Sequence, residues 1–98
     1  MANYNLTKRA VKDLSEIWLY TFETWSERQA DKYYSLLIDT IRDLSNKPEI
    51  GRSYSIIETG LQGVKVGRHI IFYKVISNQD ILVVRILHEQ MDLLNKFS

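Results

Sequence analysis

Apolar positions divide the chain into a half that repeats with a helical period and a half that alternates. Over Lys8 to about Thr24, and Trp25 just beyond, Ala10, Val11, Leu14, Ile17, Trp18, Phe22 and Trp25 fall on one stripe at about 3.6 residues per turn. Lys8, Arg9, Lys12, Asp13, Glu16 and Glu23 lie off it, and Thr7 is a good N-cap. Ser26 followed by Gln29 has the form of a capping box. It opens a second helix from Glu27 to about Ser45, with Ala30, Tyr34, Leu37, Ile38, Ile41 and Leu44 as its apolar stripe. Two amphipathic helices with so short a connection must fold back antiparallel. Asn46 is expected to adopt a left-handed C-cap, and Pro48 to stop the helix for want of an amide proton.

The strand half begins after the turn at Ile50, Gly51 and Arg52. Asn3 to Leu6 had already supplied a short extended segment. Ser53 to Thr59 has too few apolar residues to choose between a helical turn and an extended arm. Gln62 to Val66 alternates as a strand, and Gly67 permits the reversal into Arg68. Two further strands follow, joined by the polar turn Ser77, Asn78, Gln79 and Asp80. In the first, pleating places Ile70, Phe72 and Ile76 on one face and Ile71, Tyr73 and Val75 on the other. In the second, Ile81, Val83 and Leu87 alternate with Leu82, Val84 and Ile86. Apolar side chains on both faces mark central strands covered from two sides. The expected fold is α+β: a short N-terminal strand and an antiparallel helical hairpin packed on a small antiparallel sheet. One helical hairpin covers one face, leaving the other to the tail from Met91 to Ser98 or to a partner.

Length and charge narrow the classes. At 98 residues the chain is expected to form one domain, burying about 60 to 70 percent of its unfolded surface. Without cysteine there is no disulfide framework or thiolate zinc site. Met1 to Tyr20 lacks the apolar segment of a signal peptide, and Ile81 to Val84 is too short to span a bilayer, so a cytoplasmic protein is expected, not a membrane protein. Thirteen basic and twelve acidic residues are interspersed, with no basic stripe for sequence-specific nucleic-acid binding. After Glu49 six basic residues face four acidic ones, a weak preference for an acidic partner on that half.

Few residues offer chemistry. The two histidines lack ligand-spaced partners for a metal, Gly60, Gly63 and Gly67 form no phosphate loop, and no serine occupies a nucleophile elbow. No cofactor is expected. His69 shares a strand face with Ile71 and Tyr73, where a hydrogen-bonded structural role outweighs a catalytic one. His88, beside Glu89 at a strand end, suits either a general base or a plain cap.

The motifs HIIFY (His69 to Tyr73) and RILHEQMD (Arg85 to Asp92) resemble the ParE-like branch of the RelE/ParE toxin superfamily. So do YNLTKRAVKDLSEIWLYT from Tyr4, WSERQADKYY from Trp25, KPEIGR from Lys47, and the spacing between them. Nearly the whole chain is covered. The resemblance implies the toxin of a type II toxin-antitoxin system, inhibiting DNA gyrase by binding and neutralised by a small ParD-like antitoxin. The alternative, from the RelE branch, is a ribosome-dependent mRNA endonuclease. Where the resemblance places an arginine in those nucleases this chain has Ile70, and after the last strand it has Leu87, His88, Glu89, Gln90 and Met91 in place of lysine or arginine with a tyrosine. Arg68 and Arg85 with His88 and Glu89 would remain for charge and proton transfer, without an aromatic to stack on a base. A non-catalytic binder is therefore preferred. The candidate target surface is Arg68, Arg85, His88, Glu89, Met91 and Asp92. Leu19 and Leu36, off the core stripes, and Tyr33 are the candidate antitoxin contacts.

Overall fold

The computed structural model describes residues 3–77, 80–91 and 93–97, and of Leu94 the backbone alone. Asn78 and Gln79 of the expected turn, the candidate Asp92 and the side chain of Leu94 lie outside the described residues. The helices are α1 (Lys8–Thr24) and α2 (Glu27–Asn46). Thr7 starts the first: its Oγ1 accepts the Ala10 amide at 3.0 Å and donates to the Val84 carbonyl at 2.7 Å, so one side chain caps a helix and fastens it to a strand. Ser26 Oγ accepts the Gln29 amide at 3.1 Å at the start of α2. The end of α2 departs from expectation. Asn46 is the last helical residue, and among the described residues only glycines have positive φ. Asn46 Nδ2 instead donates to the Arg42 carbonyl at 3.2 Å, and Pro48 opens a 3-10 turn, Pro48–Ile50.

The strands are β1 (Asn3–Leu6), β2 (Arg52–Ser53), β3 (Gln62–Val66), β4 (His69–Ser77) and β5 (Asp80–His88). They form one sheet in the order β1-β5-β4-β3-β2. The antiparallel meander of β3, β4 and β5 is as expected, but β1 pairs parallel with β5, which makes the sheet mixed. Strict alternation along β5 fails. Phe72 pairs with Arg85 while Tyr73 pairs with Val83, so Val84 is an inserted residue. The bulge returns Ile86 to the face of Ile81 and Val83 and sends Leu87 to that of Ile70 and Phe72, the reverse of the expected grouping. A second irregularity between Val75 and Ser77 leaves Ile76 exposed instead of aligned with Phe72.

The helical hairpin covers one face, where Leu14, Leu37, Ile41 and Leu44 meet Ile71, Tyr73, Ile81, Val83 and Ile86. On the other face Leu61, Ile70, Phe72 and Leu87 are covered by the chain itself. Of residues 53–59, left undecided by the pattern, Ser53 ends β2 and the rest are an irregular loop pinned by Tyr54 N–H to the Leu61 carbonyl (2.8 Å) and Leu61 N–H to the Glu58 carbonyl (3.0 Å). Tyr54 and Phe97, from the short C-terminal helix α3 (Leu93–Phe97), approach Phe72 edge-on at 5.1 and 5.0 Å. The tail is thus part of the second core, and that face does not wait for a partner.

Both helical stripes need correction. On α1, Val11, Phe22 and Trp25 are exposed, Trp25 at 73%, whereas Asp13 is buried. On α2, Tyr34 is exposed and Tyr33 turns inward. A stripe drawn from residue 10 to residue 25 assumes that the sheet runs the length of α1. Only the N-terminal part of the helix supplies fully buried side chains, and beyond it Trp18 stacks on Phe22 at 5.3 Å and donates to Asp31 of α2 at 2.9 Å.

Asp13 fixes α1 to the bulged strand. Its carboxylate accepts Arg85 Nε and Nη2 at 2.8 and 3.1 Å and the Ile86 amide at 3.0 Å. The two side chains are 9% and 12% exposed. Removing one member of such a pair strands the other, which costs about 3 kcal/mol or more. Asp13→Ala is expected to lower unfolding free energy in urea by that amount. Glu16→Ala, which removes the exposed 3.9 Å pair with Lys12 and a minor long-range attraction to Arg85, should cost under about 0.5 kcal/mol. Equal losses would mean that the Asp13–Arg85 contact carries no special weight. Phe97→Ala should cost about 2 kcal/mol by uncovering Phe72, and an unchanged urea midpoint would contradict α3 as part of the core.

Candidate functional site

Two grooves flank the ends of β4 and β5. The first, about 440 Å³, lies between α1, the end of β5 and the tail, and includes Ile17, Arg85, His88, Met91 and Lys96. The second, about 800 Å³, runs along the helical hairpin past Trp25, Lys32, Tyr33, Leu36 and Arg68. Tyr20, His69 and His88 line both, so the grooves meet at the two histidines.

Of the candidate target residues, the structure brings Arg85, His88 and Met91 to the first groove and Arg68 and His88 to the second. Arg85 is there with its charge already committed. Its bond to Asp13 raises its pKa above the ordinary arginine value, and Nη1 also donates to the Lys96 carbonyl at 3.3 Å. The guanidinium ties helix, strand and tail together, so it is scaffold and not a free cation. Glu89 pairs with Lys65 at 2.8 Å, and that bond holds its carboxyl below the usual range. Arg68 has no ion-pair partner among the described residues. His88 Nδ1 accepts the Gln90 amide at 3.1 Å, which fixes the ring at the strand end.

The candidate antitoxin residues separate similarly. Leu36 and Tyr33 line the larger groove, while Leu19 is exposed on α1 and lines neither. Tyr33 also holds the fold together: its hydroxyl lies 2.7 Å from His69 Nδ1, 3.1 Å from the Val66 carbonyl and 3.3 Å from the Arg68 amide. Burial raises the Tyr33 pKa. Burial, followed by the neighbouring His88, pushes His69 down to about 4, so it is neutral at physiological pH. This is the hydrogen-bonded histidine expected from its strand position.

Reading by stripes passed over Asp13, Tyr20 and Lys32. The first had a signal: Asp13 stands three residues after Ala10 and four before Ile17, on the core face by helical spacing. Tyr20 and Lys32 had none, because their role depends on which way the helices overhang the sheet. Among the described residues no group of three or more histidines and carboxylates is placed to hold a metal ion, and no helix is long and apolar enough to cross a membrane.

The helical hairpin laid across an antiparallel meander has a counterpart among solved structures. A solved chain described as the chromosomal ParDE TA system from P. aeruginosa shares this fold at a TM-score of 0.75, with 17% identity, covering 90% of this chain and 96% of that one. The family described as ParE toxin of type II toxin-antitoxin system, parDE, matches residues 4–93. Toxin ParE1 of Mycobacterium tuberculosis (strain H37Rv) is 36% identical over 92 residues, 94% of each chain. Toxin ParE1 of Caulobacter vibrioides is 32% identical over 92 residues, again 94% of each. Toxin ParE of Escherichia coli is 31% identical over 98 residues, 100% of this chain and 95% of its own. The chain belongs to the ParE toxin family of type II toxin-antitoxin systems.

Gly67 shapes the junction. It has a φ of +57°, and a Cβ there would fall 2.8 Å from the Tyr33 hydroxyl oxygen. Gly60 has a φ of +82° but open space around it. Gly60→Ala should therefore cost about 1 kcal/mol of backbone strain, and Gly67→Ala that plus displacement of Tyr33, at least about 1 kcal/mol more. Equal urea midpoints for the two variants would show that Tyr33 is not held against the turn.

Proposed function

We propose that this toxin acts by binding DNA gyrase and blocking its turnover, without a catalytic step of its own, and that a small ParD-like antitoxin restrains it. Membership of the ParE family supports the class of target. The observation that carries the mechanism is the commitment of the ionisable groups around the grooves. Cleaving RNA through a 2′-hydroxyl requires a base, an acid and a cation free to meet the developing phosphorane. Here Arg85 is spent on Asp13, Glu89 on Lys65, and His69 is neutral and bonded to Tyr33. Of the strand-end candidates Arg68 and His88 are left, and with Lys32 across the larger groove they suit binding contacts better than a paired acid and base.

The target surface is then the strand-end region, with Arg68, His88 and Met91 as its accessible members and Glu89 alongside. The antitoxin fits the larger groove, where Trp25, Tyr33 and Leu36 offer apolar and aromatic surface beside the cations Lys32 and Arg68. Such a groove suits an amphipathic, acidic segment. Leu19 extends the apolar surface of the hairpin outside it.

Purified toxin is expected to inhibit gyrase supercoiling and leave translated mRNA intact. His88→Ala should weaken inhibition by under about 1 kcal/mol, as one contact among several, whereas loss of a general base would cost about 10²-fold or more in rate. Codon-specific cuts in ribosome-bound mRNA with normal gyrase turnover would establish the nuclease reading instead. A saturating antitoxin at a hundredfold excess over Kd should raise stability by about 2.7 kcal/mol. Leu36→Asp should abolish that shift while sparing the free chain's own melting temperature. Removing the tail is no test of the target surface, since it strips Phe97 from Phe72. Met91→Ala probes the same region with the core intact.

A further inference from the structure

Where the grooves meet, three rings stand in a row. Tyr33 of α2 touches His69 at the start of β4, with ring centroids 5.5 Å apart, and His69 meets the ring of His88 at 5.4 Å, nearly perpendicular at 79°. Their protons are constrained. The Tyr33 hydroxyl has one proton and three neighbours: the Val66 carbonyl, the Arg68 amide and His69 Nδ1. All three contacts are satisfied together in one way: the hydroxyl donates to Val66, and its oxygen accepts both Arg68 N–H and His69 Nδ1–H. Neutral His69 then has its lone pair on Nε2. At His88, Nδ1 accepts the Gln90 amide, so a neutral ring carries its proton on Nε2. Both Nδ1 atoms are engaged by the fold.

We propose that Tyr33, His69 and His88 form a proton-limited latch between α2 and the strand ends: the two imidazoles share at most one positive charge while the fold is closed, and a second proton opens the seam where the grooves meet. The inference does not depend on the identity of the target. Two imidazolium rings in such contact repel strongly in a half-buried site. The groups facing His69 offer little relief. From α2 comes the neutral Tyr33, from the β3–β4 turn the cation Arg68, from α1 Asp13, already paired with Arg85, and after β5 Glu89, already paired with Lys65. These carboxylates favour protonation of His69 but do not outweigh burial and His88. Tyr33 sits close against the turn, where a Cβ on Gly67 would fall 2.8 Å from its hydroxyl oxygen.

Nitrogen-detected histidine spectra of the whole chain, recorded from pH 8 to pH 4, test this directly. At pH 7 His69 should be the Nδ1–H tautomer. On acidification His69 should take no proton above about pH 5. Protection of the Arg68 amide, corrected for intrinsic exchange, should fall at least about tenfold as His69 titrates. Between the ordinary value of 6.5 and about 4 the unfolded chain binds the proton that folded His69 refuses. Stability should therefore decline as pH drops through that window, and His69→Gln should flatten the decline. His88→Gln, which removes the facing charge, should raise the His69 midpoint by about half a pH unit or more. An Nε2–H tautomer of His69 at pH 7 in the unaltered chain would overturn the proposal, whatever the variants do. So would a His69 midpoint indifferent to His88→Gln, or an Arg68 amide whose protection ignores the titration.

Discussion

The fold depends on how β5 is completed on the side where β1 runs out. β1 pairs with Asp80 to Val83 and stops, leaving a central strand with unpaired backbone groups beyond. A buried N–H or C=O without a partner costs as much as a lost hydrogen bond. The N-cap of the first helix and a side chain within it supply partners: the Thr7 hydroxyl donates to the Val84 carbonyl, and the Asp13 carboxylate accepts the Ile86 amide. Burying that carboxylate then calls for a cation, which Arg85 provides from the same strand. The placement of α1 and the attachment of the tail through Lys96 follow from that one stretch of β5 backbone.

That arrangement narrows the surface we propose for the target. A charge at the end of a strand is useful to a partner only if the fold has not already consumed it. Arg85, within the most recognisable motif of the chain, is the residue that sequence reasoning would favour as a recognition cation, and it is the one most deeply engaged. Arg68 lies on a turn, where its backbone is fixed by Tyr33 and Glu89 while its guanidinium lines the larger groove. Rigid support with an uncommitted head group is what a binding contact needs.

The two long helices and the strands β1, β3, β4 and β5 were legible because each is signalled locally, whereas β2 and α3 were not read from the pattern. Thr7 and Ser26 cap the helices named by their periodicity, and β4 carries apolar residues on both faces because two cores meet it. Three things were not local. The bulge at Val84 reverses the facing of Ile86 and Leu87, and nothing in a run of alternating apolar residues distinguishes a bulged strand from a regular one. Tyr33 and Tyr34 are adjacent, and choosing the inward one requires knowing where the β3–β4 turn lies. The apolar stripe of α1 outlasts the sheet beneath it, so Phe22 and Trp25 match the helical period without a core to enter. The site inherits these gaps, since its grooves are bounded by helix overhang and by a tail whose docking composition alone left open.

The pairing of β1 with β5 joins backbone positions 77 residues apart, Asn3 with Asp80. Such a contact closes late, since a long intervening chain must first be organised. The helical hairpin has no comparable delay, because its two arms are sequential neighbours joined at Trp25 and Ser26. During vectorial synthesis the hairpin is therefore complete while the strands that will back it are still being made. The nascent toxin displays Leu36 and Trp25 before it possesses an assembled strand end. An antitoxin gripping the hairpin, as proposed, would thus find its site before the strand end is assembled.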